Sequence, residues 1–269
     1  MAGFPKLIFK EPTPEERRAA SEAWAARVRD TFIDRWPKDL AALSMPTRLV
    51  RFDKELAKAM FDGSPATWKR GHVELAAEID AICGWDRKFF RLNSRSPKDF
   101  PWPFEVPISC SGREMLSVFA SSERALDDIV MFYDAPDPLF ICLRDWVPGM
   151  QPAWEFRCFV KDGDLLAVAE YGLEGLHFEP DADPAFRRII DRYFAETVRP
   201  RLHIDTVVFD VYVGGGLAAG DAPMLIEINP YGLSDPVGAG SYDAIERGIS
   251  GIARRPLPAS QACDSGRVK

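Results

Sequence analysis

Side chains that bind zinc or act as nucleophiles are scarce in this sequence of 269 residues. It has three histidines, and none stands in an HExxH motif or beside a GxSxG motif, so neither a zinc protease nor a serine hydrolase is indicated. Its five cysteines are an odd number without a CxxC pair, which argues against a disulfide framework and a zinc site. We therefore expect a protein of the reducing cytoplasm.

Basic charge and long hydrophobic segments are also lacking. The chain has 34 Lys and Arg against 41 Asp and Glu, which argues against nucleic acid or an anionic membrane as the main partner. The N-terminal LIFK is shorter than the apolar core of a signal peptide, and no apolar run approaches the roughly 18 residues of a spanning helix. Any anionic ligand must then be held by locally placed cations.

Helical patterns dominate the first third of the chain. The segment TPEERRAASEAWAARVRDTFIDRW begins with Thr13 as a helix N-cap and Pro14 at the first helical position. Further helices are predicted at DKELAKAMF, with Asp53 as its cap, and at VELAAEIDAICGW, which ends near Gly84. The short runs TRLVRF and KFFRL are predicted to be strands.

Strands cluster later in the chain. LFICLRDW, WEFRCFV and LLAVAEY follow one another closely and predict an antiparallel sheet, and TVVFDVYV and MLIEINP predict a final hairpin. The glycine run GGGLAAG between the last two leads into a strand instead of a helix, which excludes a dinucleotide-binding turn. Helices first and strands later favour an α+β fold with two lobes over a doubly wound sheet.

The sequence divides into three predicted parts. Residues 1–135 are expected to form an N-terminal helical and α+β lobe that carries a long proline-rich loop after KFFRL. Residues 136–255 are expected to form a C-terminal lobe with the final hairpin, and residues 256–269 a tail without regular structure.

Acidic side chains interrupt the apolar pattern of the final hairpin. Glu227 and Asn229 are two residues apart and project from one strand face, and Asp210 on the preceding strand can face them. Two bare carboxylates that face each other repel, whereas Mg²⁺ takes oxygen ligands from one or two carboxylates and fills its other positions with water or phosphate. The pattern indicates a magnesium site, and the alternative is a solvated face of a two-sided sheet.

Cations gather in the loop RLNSRSPKD. Arg91, Ser94, Arg95, Ser96 and Lys98 lie within eight positions directly after a predicted strand. Guanidinium, ammonium and hydroxyl groups on one segment suit a polyphosphate, to which they donate charge-assisted hydrogen bonds. The alternative is a solvated basic loop, although a magnesium site nearby favours the polyphosphate because the two ligands occur together.

Two further segments carry candidate side chains. Arg157 in WEFRCFV is either a phosphate ligand or an ion-pair partner of Glu155 or Asp145. The segment CLRDWVPG either supplies a hinge whose backbone contacts an adenine ring, with Trp146 packed nearby, or simply places this tryptophan in the core.

Four ordered motifs, FRLNSRSPKD, WEFRCFVKDGDLLAVAEY, VVFDVYV and LIEINPYG, resemble the cell division cycle protein 123 family over roughly residues 75 to 235. The resemblance implies a two-lobed α+β fold of the ATP-grasp type with antiparallel sheets and ATP between the lobes. It implies Mg²⁺ at Asp210, Glu227 and Asn229. It also implies nucleotide contacts from Arg91, Ser94, Arg95, Ser96, Lys98 and Arg157, and an adenine-side hinge at Leu143, Arg144, Asp145 and Trp146.

The chain departs from the family at two of these positions. Arg91 stands where the family usually has a lysine, and Glu227 stands where it usually has an aspartate. The resemblance implies an ATP-dependent assembly or chaperone-type factor for a protein partner, since eukaryotic members assist the assembly of translation initiation factor 2. The alternative is an ATP-grasp ligase that joins a carboxylate to an amine through an acylphosphate and needs a further cation, such as Arg95 or Arg144, for the substrate carboxylate.

Overall fold

The computed structural model describes residues 12–60, 70–100, 107–150, 152–171, 183–214 and 222–254. The predicted tail at 256–269, the N-terminal LIFK and most of the glycine-rich run lie outside these ranges. The helices are α1 (Pro14–Val28), α2 (Lys38–Ala41), α3 (Lys54–Lys58), α4 (Arg70–Cys83), α5 (Gly112–Ser121), α6 (Glu123–Asp134), α7 (Asp183–Tyr193) and α8 (Tyr242–Glu246). The strands are β1 (Thr47–Arg51), β2 (Lys88–Leu92), β3 (Ile108–Ser109), β4 (Phe140–Asp145), β5 (Glu155–Lys161), β6 (Asp164–Glu170), β7 (Val207–Tyr212), β8 (Met224–Asn229) and β9 (Ile252–Ala253).

Local signals start and stop the helices where the sequence predicts. Thr13 and Glu16 form a capping box at the start of α1, in which each side chain accepts from the other's backbone N–H. Asp53 accepts from the Leu56 N–H at the start of α3, and α4 is followed by Gly84, whose φ of 57° suits a helix end. The long predicted N-terminal helix is shorter than expected, because 3₁₀ turns at Arg29–Thr31 and Ile33–Arg35 follow it.

The first lobe is a four-stranded antiparallel sheet in the order β1-β4-β2-β3, with helices on one face. Side chains alternate across it because successive residues of a strand point to opposite faces. Phe90, Leu92, Ile141 and Leu143 pack into a core with α1, α4, α5 and α6. Arg91 and Cys142, which are opposite each other in the register, belong to the other face.

The second lobe is a five-stranded sheet in the order β8-β7-β5-β6-β9, antiparallel except for the parallel pair β6–β9. The predicted final hairpin is confirmed as β7 and β8. The prediction that LFICLRDW joins the next two strands in one sheet is wrong, because this segment is β4 of the first sheet. The α+β class with largely antiparallel sheets is confirmed.

The two lobes share chain segments. Ile33, Trp36 and Leu40 come early in the sequence, yet they pack in the core of the second lobe together with Cys142 of β4. Ser44 forms a parallel bridge with Leu225 at the edge of β8. The predicted boundary at residue 135 also precedes β4, which is a strand of the first sheet. Division of the chain into independently folding units at that point stays a prediction. None of the described helices has the length and apolar character needed to cross a bilayer.

Gly112 marks the closest approach between α4 and α5, and replacing it with alanine is expected to destabilise the first lobe. An added Cβ would lie 2.8 Å from the Ala76 Cα and 2.9 Å from the Ile79 Cβ, so the helices must separate. Overpacking of this kind costs about 1–3 kcal/mol. Chemical denaturation of Gly112→Ala measures it, with Gly71→Ala as a control, because a Cβ added at this other helix start meets the end of the Leu56 side chain, at 3.1 Å, instead of a backbone. Equal stability of Gly112→Ala and the parent protein would contradict the packing argument.

Candidate functional site

Three strands of the second sheet place charged side chains on the face that looks toward the first lobe. Asp210 of β7 lies between Arg157 of β5 and Glu227 of β8, and each is its direct cross-strand partner. Asp210 is fully buried and binds Arg157 through both carboxylate oxygens, Nε to Oδ1 and Nη2 to Oδ2, each at 2.8 Å. The predicted pairing of Asp210 with Glu227 is confirmed. The predicted ion pair of Arg157 with Glu155 or Asp145 is replaced by the bidentate pair with Asp210.

Glu227 is held from the opposite lobe. The Arg91 guanidinium on β2 donates from Nη1 to Glu227 Oε2, so this ion pair crosses the cleft between the two sheets. Asn229 completes the group, because its Nδ2 donates to Asp210 Oδ2 and to Glu227 Oε1, both at 3.2 Å. The two carboxylates are therefore neutralised by arginines and joined by an amide.

Burial and the neighbouring charges set the pKa values of both acids. Burial raises the pKa of Asp210 in spite of the Arg157 pair, and the nearby Glu227 carboxylate acts in the same direction. Burial would also raise the pKa of Glu227, but Arg91, with Lys98 and Arg157, holds it well below its usual value. The site therefore keeps Glu227 ionised.

Aromatic and backbone contacts fix the Arg157 side chain further. Its guanidinium carbon lies 4.2 Å from the centre of the Tyr171 ring, and its Nη1 donates to the Asp235 carbonyl at 3.1 Å. The Lys98 Nζ donates to the Tyr171 hydroxyl at 2.9 Å. Burial acts to lower the pKa of Lys98, but the carboxylate of Glu227 and other neighbouring anions raise it. Lys98 is thus a third cation at the two carboxylates.

The rest of the predicted phosphate loop turns toward α6. Ser94 Oγ donates to Asp128 Oδ2, and Arg95 Nη2 lies 2.8 Å from Asp128 Oδ1. The Ser94 carbonyl accepts from Arg91 Nη2 at 2.6 Å, which ties the loop to the site. Ser96 is buried, and its carbonyl accepts from the Lys98 N–H. Of the five predicted loop residues, Arg91 binds the Glu227 carboxylate directly, and Lys98 acts on it through its charge while its ammonium group donates to Tyr171.

The predicted hinge residues diverge because they alternate along β4. Leu143 packs in the first core, and Asp145 pairs with Lys88 Nζ at 2.8 Å and borders a surface cavity with Arg48 and Ile82. Arg144 points to the other face and donates from Nη2 to Ser44 Oγ at 2.6 Å. Trp146 directly follows the strand and is half-buried. A role of these four residues in adenine binding stays a prediction.

Sequence reasoning missed three side chains of the site. Tyr171 and Ser44 gave no signal, because they are single polar residues at the end of a strand and in a turn. Glu155 shares a strand face with Arg157, and the sequence suggests for it only an ion pair with that arginine. In the structure burial raises the pKa of Glu155 to about 7 against the opposing effect of Lys98, which makes it a third carboxyl group near the site. Among the described residues no group of three or more His, Cys, Asp or Glu side chains is arranged to hold a metal by itself.

Comparisons with known proteins identify relatives of this chain. The family model described as D123 matches residues 54–238. "Cell division cycle protein 123" of Phaeosphaeria nodorum is 26% identical over 183 residues, which cover 63% of this chain and 46% of that protein. "Translation initiation factor eIF2 assembly protein" of Dictyostelium discoideum is 28% identical over 152 residues, which cover 53% of this chain and 38% of that protein. The matched segment thus spans less than half of either relative.

The fold has a solved counterpart. Cdc123 from Schizosaccharomyces pombe superposes with a TM-score of 0.69 at 20% identity, covering 86% of this chain and 97% of that structure. The likeness covers most of the chain and confirms the predicted α+β fold. Family model, relatives and fold agree, and the chain belongs to the D123 family, the family of cell division cycle protein 123.

Proposed function

We propose that the cleft binds Mg-ATP and that the protein is an ATP-dependent assembly factor for a protein partner. One observation carries the nucleotide proposal: Arg91 from the first lobe meets Arg157, Asp210 and Glu227 from the second on one buried face, and the exposed Lys98 lies near enough for its charge to act on Glu227. Cations that lie beside facing carboxylates suit a ligand that is itself an anion bound to a divalent metal. The ATP-grasp-like fold supports the same ligand.

The acidic side chains fit magnesium. Asp210 and Glu227 offer carboxylate oxygens on neighbouring strands, and Asn229 lies within 3.2 Å of both. Rotation of the Asn229 amide would present its oxygen in place of its nitrogen, giving the all-oxygen set that Mg²⁺ prefers. Two carboxylates leave coordination positions for phosphate oxygens and water. The ion would neutralise phosphate charge and orient the phosphate chain.

The cations fit the phosphates. In the structure Arg91 is paired with Glu227, and Arg157 is paired with Asp210. When a divalent ion neutralises the two acids, both guanidinium groups can donate to phosphate oxygens instead. Lys98 adds a flexible ammonium group. Ser94, Arg95 and Ser96 are proposed to cover the phosphates, and Leu143, Asp145 and Trp146 to border the adenine side.

The partner is proposed from the relatives. Several carry the name translation initiation factor eIF2 assembly protein, so a translation factor is the partner class that we propose for this chain. The ligase alternative needs a free cation for a substrate carboxylate. Its two candidates differ: Arg95 is paired with Asp128, whereas no carboxylate among the described residues forms an ion pair with Arg144. Incubation with Mg-ATP separates the two functions: ADP that forms only when a carboxylate–amine mixture is added indicates a ligase.

Removal of the divalent cation is expected to weaken ATP binding strongly. Without the ion, the triphosphate meets the ionised Glu227 carboxylate and its neighbour Asp210. Titration calorimetry with ATP in Mg²⁺ and then in EDTA measures this difference. Glu227→Gln should bind Mg-ATP more weakly and lose most of the dependence on Mg²⁺, and adenosine binding should not respond to EDTA. Equal ATP affinity in Mg²⁺ and in EDTA would contradict the assignment of Asp210, Glu227 and Asn229 as magnesium ligands.

A further inference from the structure

Two guanidinium groups are buried side by side on the cleft face of the first sheet. Arg91 of β2 and Arg144 of β4 are each 1% exposed. Arg91 lies opposite Cys142 in the register, so Arg144 is its diagonal neighbour on the same face, with a Cα separation of about 7–8 Å. Like charges at this distance disfavour each other, and each needs a compensating anion.

The two arginines differ in how they are compensated. Arg91 has the Glu227 carboxylate and two backbone carbonyls. Arg144 donates to the neutral Ser44 hydroxyl, and within the described part of the chain its buried Nε has no hydrogen-bond partner and no carboxylate forms an ion pair with it. A buried cation without a counter-ion is strongly unfavourable. Burial lowers the pKa of Arg144 to about 10 and Arg91 acts in the same direction, while the charges of Glu227 and Glu155, neither of which forms an ion pair with it, oppose both.

Ser44 fixes the position of Arg144. Its hydroxyl accepts from Arg144 Nη2 at 2.6 Å and donates to the carbonyl of Leu225 on β8. The Leu225 N–H in turn donates to the Leu43 carbonyl at 3.0 Å. Arg144 is thereby tied to the strand that carries Glu227, two residues farther along.

The face that carries both arginines reaches solvent at one side. Leu49 of the edge strand β1 lies opposite Cys142 and is 43% exposed. Guanidinium groups donate paired, planar hydrogen bonds that match phosphate oxygens.

We propose that Arg144, positioned by Ser44, binds an oxyanion of the nucleotide's phosphate chain beside Arg91. The inference rests on the proposed function and gives Arg144 a role different from the adenine contact that the sequence predicts. Arg144 is then a phosphate ligand that the empty protein keeps without a counter-ion, and Ser44 is the residue that positions it.

The test uses inorganic pyrophosphate in the presence of Mg²⁺. This probe has phosphate oxygens but no adenine, and the Mg²⁺ neutralises the Asp210 and Glu227 carboxylates that would otherwise repel it. Arg144→Gln is expected to bind pyrophosphate at least about tenfold more weakly than the parent, the effect of losing a hydrogen bond to a charged group. The matched control is Arg48→Gln, an exposed arginine on the neighbouring strand. Adenosine affinity should be unchanged in both variants. The melting temperature of ligand-free Arg144→Gln should equal or exceed that of the parent.

The outcomes separate this inference from its alternatives. Unchanged pyrophosphate affinity in Arg144→Gln overturns it, and so does a loss that Arg48→Gln reproduces. Loss of adenosine binding in Arg144→Gln would indicate that Arg144 contacts the adenosine part of the nucleotide, as the sequence predicts. If Arg144→Gln does not fold, Ser44→Ala tests the inference instead, because this variant keeps the Arg144 charge. It should weaken pyrophosphate binding by a smaller factor than the loss of Arg144 would. Unchanged pyrophosphate binding by Ser44→Ala would refute the positioning role of Ser44. Pyrophosphate binding by a parent protein that does not bind ATP would contradict the proposed function but not this inference.

Discussion

Replacement of Arg157 with glutamine is expected to lower the free energy of unfolding by about 3–5 kcal/mol, the cost of breaking a buried ion pair by removing one partner. The substitution leaves the fully buried Asp210 without its two hydrogen bonds of 2.8 Å and beside the Glu227 carboxylate. It also removes the cation that stacks on Tyr171. Chemical denaturation of the ligand-free protein measures the change.

Two comparisons locate the origin of this loss. The double variant Arg157→Gln/Asp210→Asn should recover part of the stability, because it removes the unpaired charge. Arg70→Gln breaks an exposed pair with Glu74 one turn away on α4 and should cost only about 0.3–0.5 kcal/mol. If Arg157→Gln unfolds at the same denaturant concentration as Arg70→Gln, the Arg157–Asp210 pair does not stabilise the second sheet.

Replacement of Arg91 with alanine is expected to weaken Mg-ATP binding by about 1.5–3 kcal/mol, or roughly 10- to 150-fold, the range for a hydrogen bond to a charged group. The variant loses a proposed phosphate ligand and the cation that compensates Glu227 across the cleft. Arg91→Lys should keep most of the affinity, because the charge is retained. Calorimetric titration with ATP measures both variants.

Adenosine distinguishes a phosphate ligand from a packing residue. Arg91→Ala should bind adenosine like the parent protein if Arg91 contacts the phosphates alone. A similar loss for adenosine and ATP would indicate that Arg91 acts by holding the lobes together through Glu227. ATP affinity equal to that of the parent would instead move the role to Lys98, whose ammonium group also faces Glu227.

The acidic part of the site could be predicted from the sequence, because side-chain alternation in a strand is a local property. Glu227 and Asn229 share a face by spacing alone, and the hairpin brings Asp210 opposite Glu227. The counter-ions could not be predicted in the same way. Arg157 meets Asp210 through the register of β5 against β7, and Arg91 meets Glu227 from another lobe, 136 residues away in sequence. Each acid therefore has an arginine as its counter-ion, whereas the spacing of the two acids in the sequence alone indicates that they repel each other.

The wrong assignment of β4 has a similar cause. The sequence-based prediction assigns β4 to the sheet of β5 and β6 because the three strands follow one another in the sequence. Which sheet a strand joins depends instead on the elements that cover its two faces. Ile141 and Leu143 pack on the helices of the first lobe, while Cys142 between them packs in the core of the second. A strand that is buried on both faces reads as one continuous apolar run and does not show which sheet it joins.

The bridge between Ser44 and Leu225 has a consequence for synthesis of the chain. The two residues are 181 positions apart, so the ribosome must extend the chain from Ser44 to Leu225 before this contact can form. Until β8 emerges, Ile33, Trp36 and Leu40 lack the sheet on which they pack, and their apolar surface stays accessible to other chains. Contacts this distant in sequence also slow folding, because a long loop must close before they form. We therefore expect the nascent chain to need protection from aggregation until β8 has been made.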